Sequence, residues 1–84
     1  MVDQLPPGKL EQLLDIGQNN PAAISIICKL YLIGASENYD YFDALQRLNI
    51  KGVNLWILYK NECKQSDARL IEEIKSKITE LEST

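Results

Sequence analysis

Helix start and stop signals recur along this chain so closely that no long element fits between them. Pro6-Pro7-Gly8 breaks the chain first, Gly17 follows, Asn20-Pro21 opens a new segment and Gly34 closes it. Asn49-Ile50-Lys51-Gly52 then makes a turn, and Ser66-Asp67 opens the last segment. Asn and Ser accept hydrogen bonds from the orphan N–H groups of a first turn, and Pro at the first helical position gives up no bond. Gly takes the left-handed conformation that ends a helix. The punctuation therefore predicts an all-α bundle of about five short helices.

Apolar spacing inside the segments agrees. Leu10, Leu13, Leu14 and Ile16 fall on one helical face, with Lys9, Glu11, Gln12 and Asp15 opposite, and Gly17 ends that helix. The second helix runs from Pro21 to about Ile33 and is apolar around most of its circumference, through Ile24, Ile26, Ile27, Leu30, Tyr31, Leu32 and Ile33. Its β-branched content leaves a strand open as the alternative. Glu37, Asp40 and Asp43 sit in and near the first turns of the third segment, where the helix dipole favours anions, and Arg47 is the matching cation near its end. Tyr41, Phe42, Leu45 and Leu48 make its buried stripe, and Val53, Leu55, Trp56, Ile57, Leu58 and Tyr59 begin a strongly apolar fourth helix. Leu70, Ile71, Ile74, Ile78 and Leu81 recur at three- and four-residue steps in the fifth, with Glu73 set four residues before Lys77. The expected core draws on Leu13, Leu14, Ile27, Leu30, Phe42, Leu45, Leu48, Trp56, Ile57, Ile74 and Ile78.

The chain has 84 residues, of which 45% are hydrophobic and 25% charged, close to globular averages. A chain of this size buries about 60% of the surface its unfolded form exposes, enough for one modest core and no deep cleft. We read residues 1–84 as one domain, with residues 1–8 as an N-terminal arm and residues 82–84 as a frayed end. This size counts against a self-contained enzyme and a small-molecule substrate. Histidine is absent, which removes the commonest acid–base group near neutrality and the commonest nitrogen ligand for metals. Cys28 and Cys63 belong to no short-spaced pair, so no metal ribbon or redox motif is present and no cofactor is expected. The neighbouring Lys29 and Lys64 do little to activate these thiols, because adjacent helical residues point about 100° apart. Carboxylate pairs such as Asp40 with Asp43, or Glu72 with Glu73, read as dipole partners and solvated faces.

Net charge is −3, which repels a polyanion such as DNA or an anionic membrane. The charge is uneven: residues 1–43 are net −4, residues 44–66 net +3 and the remainder net −2. Arg47, Lys51, Lys60 and Lys64 make the central basic island, and the order Ala44 to Leu58 has some helix-turn-helix spacing. A recognition helix must present polar side chains to base edges, whereas this one is apolar on nearly every side, with Asn54 and Lys51 near its start. DNA binding is therefore the second reading.

The first reading is protein–protein interaction. Two helices carry more apolar surface than three others can cover, and Trp and Tyr are enriched at interface hot spots. Trp56, Tyr59, Tyr31 and Tyr41 are the candidate contact residues, and the partner is a second copy or another protein. The N-terminal residues lack the basic and apolar regions of a secretory signal. The longest apolar stretch, residues 22–35, falls short of the ~18–20 residues a bilayer span needs. A cytoplasmic location is expected.

At Asn20-Pro21-Ala22-Ala23, through Leu48-Asn49-Ile50-Lys51-Gly52, and at Leu55-Trp56, Leu58-Tyr59-Lys60 and Cys63, the sequence resembles small all-α proteins encoded by bacteriophages and prophages of gut bacteria. The resemblance covers about half of the chain and rests on capping and packing residues. It implies a bacterial host cytoplasm, but the family has no assigned activity to carry over, so no residue inherits a role from it; an accessory or structural role in a phage or prophage is part of the interaction reading. The Ile, Lys and Asn usage suits an AT-rich genome.

Overall fold

Three side-chain caps set the frame of the fold. Asn20 Oδ1 accepts from the Ala23 N–H at 3.0 Å with Pro21 at the first helical position, Asp40 Oδ1 from Asp43 N–H at 3.2 Å, and Ser66 Oγ from Arg69 N–H at 3.3 Å. The computed structural model describes residues 5–83. Its helices are α1 (Pro7–Gly17), α2 (Pro21–Glu37), α3 (Tyr41–Leu48), α4 (Gly52–Ile57) and α5 (Asp67–Glu82), and α4 runs on directly into a π-helical turn at Leu58–Glu62. The fold is all-α, with no strand among the described residues, so the β-branched residues of α2 pack as helix. The Cα radius of gyration is 12.0 Å, which is the value of about 12 Å that one folded body of this length should have.

The helix ends agree with the sequence expectation only in part. Gly17 is the last residue of α1, as expected, whereas Gly34 lies inside α2, and the left-handed conformation falls to Gln18, Asn38 and Asn49 at φ 48°, 56° and 56°. Asn adopts it readily because its short polar side chain hydrogen-bonds locally. Both glycines also serve close approach. A Cβ on Gly17 would lie 2.6 Å from Ile24 Cγ1, where α2 crosses α1, and one on Gly34 would strike the Tyr39 carbonyl oxygen. Tyr39 N–H donates to the Gly34 carbonyl at 2.9 Å, so the chain folds back against the end of α2 through the space a side chain would fill. As α2 continues past Gly34, Glu37 is its last residue and not an acid of the third helix, which Asp40 caps alone.

The fourth segment holds a feature the periodicity did not reveal. Cys63 N–H donates to Leu58 O at 3.0 Å, five residues back, and Gln65 N–H to Tyr59 O at 2.8 Å. The widened turn lets Leu58, Tyr59 and Cys63 all face inward, and Lys64 and Gln65 then reverse the chain at φ 53° and 60°.

α1 packs on α2 and α3, α2 on α3 and α4, and α3 on α5. Leu13, Ile27, Leu30, Phe42, Leu45, Ile74 and Ile78 are buried as expected, joined by Ile16, Ala23, Ile26, Tyr41, Leu55 and Leu70 among others. Leu48 and Trp56 are half-buried. Leu14 and Ile57, both expected in the core, are exposed at 56% and 46%. On α1 the inward arc is Leu13 with Ile16 and Gly17, and one step of about 100° carries Leu14 outside it. On α4 and its extension Leu55 and Leu58, three residues apart, take the inward positions and turn Ile57 away. Of the expected arm at residues 1–8, Pro7 and Gly8 are already helical and residues 1–4 lie outside the described residues. At the other end Glu82 closes α5 and Ser83 caps it, and residue 84 lies outside the described residues.

Candidate functional site

The four candidate contact residues fall into two ring groups. Trp56 and Tyr59 have centroids 6.2 Å apart on the fourth segment, whereas Tyr31 pairs with Phe42 at 5.5 Å and Tyr39 with Tyr41 at 4.7 Å around the junction of α2 and α3. Tyr59 and Tyr41 are core residues, 5% and 1% exposed: Tyr41 lies in the buried stripe expected for α3, and neither ring takes the place on a contact surface also expected of it. Their hydroxyls explain the burial: Tyr59 donates to Asp67 Oδ1 at 2.6 Å and Tyr41 to Glu37 Oε1 at 2.8 Å, so each polar tip is satisfied while the ring packs. The Asp67 hydrogen bond, together with burial, pushes the Tyr59 phenol up to about 12, and burial with the Glu37 bond raises that of Tyr41. The same Tyr41 bond, reinforced by Lys75, holds the Glu37 carboxyl below its ordinary value.

Val53 takes the place the tyrosines leave. It is 54% exposed and Ile57, one turn on, is 46% exposed, with half-buried Trp56 between them on the same side of α4. The sequence pattern placed Ile57 in the expected core and showed Val53 only as one of the apolar residues that begin the fourth helix. The signal was present in the three-residue step from Leu55 to Leu58, which sets the inward face and puts Val53 and Ile57 opposite it.

The basic island is partly neutralised. Arg47 lies 3.6 Å from Glu82 and Lys51 3.2 Å from Asp15, while Lys60 and Lys64 are exposed and make no ion pair among the described residues. Gln46 Nε2 also donates to Asp15 Oδ2 at 3.2 Å and, with Lys51, keeps that carboxyl below its usual range. In the helix-turn-helix reading α4 would be the recognition helix, yet its outward positions hold Val53 and Ile57.

Among the hollows formed by the described residues, two measure about 290 Å³ each. One lies where the end of α2, the start of α3 and Lys9 of α1 meet, lined by Tyr31, Gly34, Tyr39, Asp40 and Phe42 among others. Lys9 Nζ sits there 2.7 Å from Asp40 Oδ2 and 5.5 Å from the Phe42 ring centroid. Partial burial pushes the Asp40 carboxyl up, but Lys9 and the backbone N–H groups of Asp43 and Phe42 outweigh it and hold the group low. Sequence reasoning missed this pairing, since 31 positions separate the two residues and each had a sufficient role within its own helix.

The other hollow is polar, lined by Glu62, Cys63, Arg69, Glu72, Glu73 and Ser76. Cys63 is wholly buried there, and burial with the charges of Glu73 and Glu62 pushes its thiol up, the opposite of what a nucleophile needs. Cys28 is half-buried. No group of three His, Cys, Asp or Glu side chains is arranged to hold a metal among the described residues. No helix among them is long and apolar enough to cross a membrane.

Comparison with family models, with curated proteins and with solved structures finds no match to this chain.

Proposed function

We propose that this chain is a non-enzymatic interaction module that pairs with a second copy of itself through Val53, Trp56 and Ile57 on α4. One observation carries the reading: two large aliphatic side chains one turn apart are left at 54% and 46% exposure beside a half-buried tryptophan. Covering an exposed aliphatic side chain is worth roughly 1.5–3 kcal/mol, and a twofold axis through the face would cover four of them at once. Repulsion does little against this, because a net charge of −3 over 5100 Å² is screened within about 8 Å at physiological salt. In this reading the protein is an accessory component of a phage or prophage, working in the cytoplasm of the bacterial host.

Light scattering over a micromolar concentration range tests the pairing. The expected result is a molar mass twice that of the chain, reverting to the monomer value in Ile57→Glu without loss of helical circular dichroism. A monomer at every concentration sinks the reading.

The second reading, a small DNA-binding regulator, draws on Lys60 and Lys64, the two bases of the island without an ion pair among the described residues. It requires binding that weakens steeply with salt, and a DNA titration with no signal at low salt removes it.

A further inference from the structure

The hollow at the α2–α3 junction owes its shape to a missing side chain. At Gly34 a Cβ would strike the Tyr39 carbonyl and come within 3.1 Å of the Tyr41 ring, so the bare backbone lets the chain double back and leaves ring faces around the gap. Tyr31 and Phe42, 5.5 Å apart and tilted by 45°, form one wall and Tyr39 another. At the rim stands Asp40, its carboxylate about half exposed.

One ammonium group already occupies the rim. Lys9 reaches over from α1 to put its Nζ against both Asp40 and the face of Phe42. Lys75 repeats the arrangement at the same aromatic cluster, 5.3 Å from the Tyr39 centroid, 5.9 Å from that of Tyr41 and 3.5 Å from Glu37 Oε1. A carboxylate beside aromatic faces is the surrounding that favours an alkylammonium, through ion pairing and the negative face of each ring. An anion entering the hollow would meet Asp40 as well as Lys9, and an uncharged apolar guest would part the two charges without replacing either.

We propose that this hollow is a binding site for an alkylammonium group, supplied by the lysine of a partner protein or by a free amine, and that Lys9 is its resident intrachain occupant. Displacing Lys9 is cheap, because both members of its pair are solvent-accessible, 29% and 48%, and such pairs are weak. The hollow lies apart from Val53 and Ile57, so the site stands whether or not the chain pairs with itself.

The test is a titration of the full chain with tetramethylammonium chloride, followed by NMR at the rings of Tyr31 and Phe42, with tert-butanol as the uncharged control of similar bulk. Tetramethylammonium is expected to shift both rings and tert-butanol to leave them unmoved. Lys9→Ala, which frees the rim, should bind about two- to fivefold tighter, and Asp40→Asn, which keeps a capping side chain, weaker by a similar factor. Circular dichroism checks that both variants fold. A second arm compares n-butylammonium with a short blocked alanine peptide carrying one lysine. Tighter binding of the peptide assigns the ammonium to a protein partner, equal binding to a free amine, and both uphold the site. Loss of binding in Lys9→Ala, or a Lys9→Ala chain that treats the cation and tert-butanol alike, overturns the proposal.

Discussion

The Tyr59 hydroxyl donates to Asp67 Oδ1 at 2.6 Å and so ties the π-helical turn to the first turn of α5. The bond spans the reversal at Lys64 and Gln65 and anchors the start of the helix whose Leu70, Ile74 and Ile78 reach the core. Tyr59→Phe keeps the ring and leaves the Asp67 acceptor to water, so it should cost about 1–2 kcal/mol of unfolding free energy, read as a lower urea midpoint with an unchanged slope.

The same bond makes stability depend on alkaline pH. The folded chain holds the Tyr59 proton up to about 12, whereas the unfolded chain gives it up near the ordinary value of 10.0. Above that lower value the folded state binds more protons, so stability is fully present below 10.0 and is lost as pH rises toward about 12. Tyr41, also raised, adds to the fall. Urea melts across this window should show a smaller decline in Tyr59→Phe than in the parent. Equal declines would remove Tyr59 from the account.

Two glycines should respond to alanine in opposite directions. Gly34→Ala forces a Cβ into the Tyr39 backbone and should lower stability by about 1–3 kcal/mol. Gly8 sits in the exposed first turn of α1 with nothing within 4 Å of the added carbon, and Gly8→Ala should raise stability by about 0.4–1 kcal/mol. Thermal melts of the two variants check both signs.

Leu55 and Ile57, two residues apart, should separate core from surface. Leu55 is fully buried, so Leu55→Ala should cost about 2–5 kcal/mol, while Ile57→Ala should stay below about 1 kcal/mol at concentrations where the chain is monomeric. Comparable losses would place Ile57 in the core after all.

The thiols should differ in reactivity. Iodoacetamide near neutral pH, followed by mass spectrometry, should label half-buried Cys28 and spare Cys63, whose burial both blocks access and disfavours the thiolate. Denaturant should then expose both.

What could be read from the sequence was local. Asn20 and Ser66 act on N–H groups three residues away, so residue type and position alone located the starts of α2 and α5, whereas Asp40, the cap of α3, was legible only as one of three acids near that helix's start. The stops were harder, because a glycine serves equally at a left-handed cap or at a close crossing, and only the path of α2 over Gly17 and of Tyr39 over Gly34 distinguishes the two. Tyr41 was legible as part of the buried stripe of α3, but its second reading as a contact residue, like that of Tyr59, fails for a related reason: a tyrosine is buried when an acceptor meets its hydroxyl, and Glu37 and Asp67 were visible only as dipole partners. The hollow around Lys9 and Asp40 depends on α1 packing against α3, a pairing that no short window contains.

The turn at Leu58–Glu62 contains one residue more than an α-helix needs over the same span. Removing Asn61, which is exposed, would bring the Cys63 N–H four residues from the Leu58 carbonyl and leave both side chains at the same seam. Elsewhere in these short helices a deletion would rotate every following side chain by about 100° and turn the core outward. The molecule thus carries a slack link between its fourth and fifth helices, and there a residue can be lost without rewiring what the helices enclose.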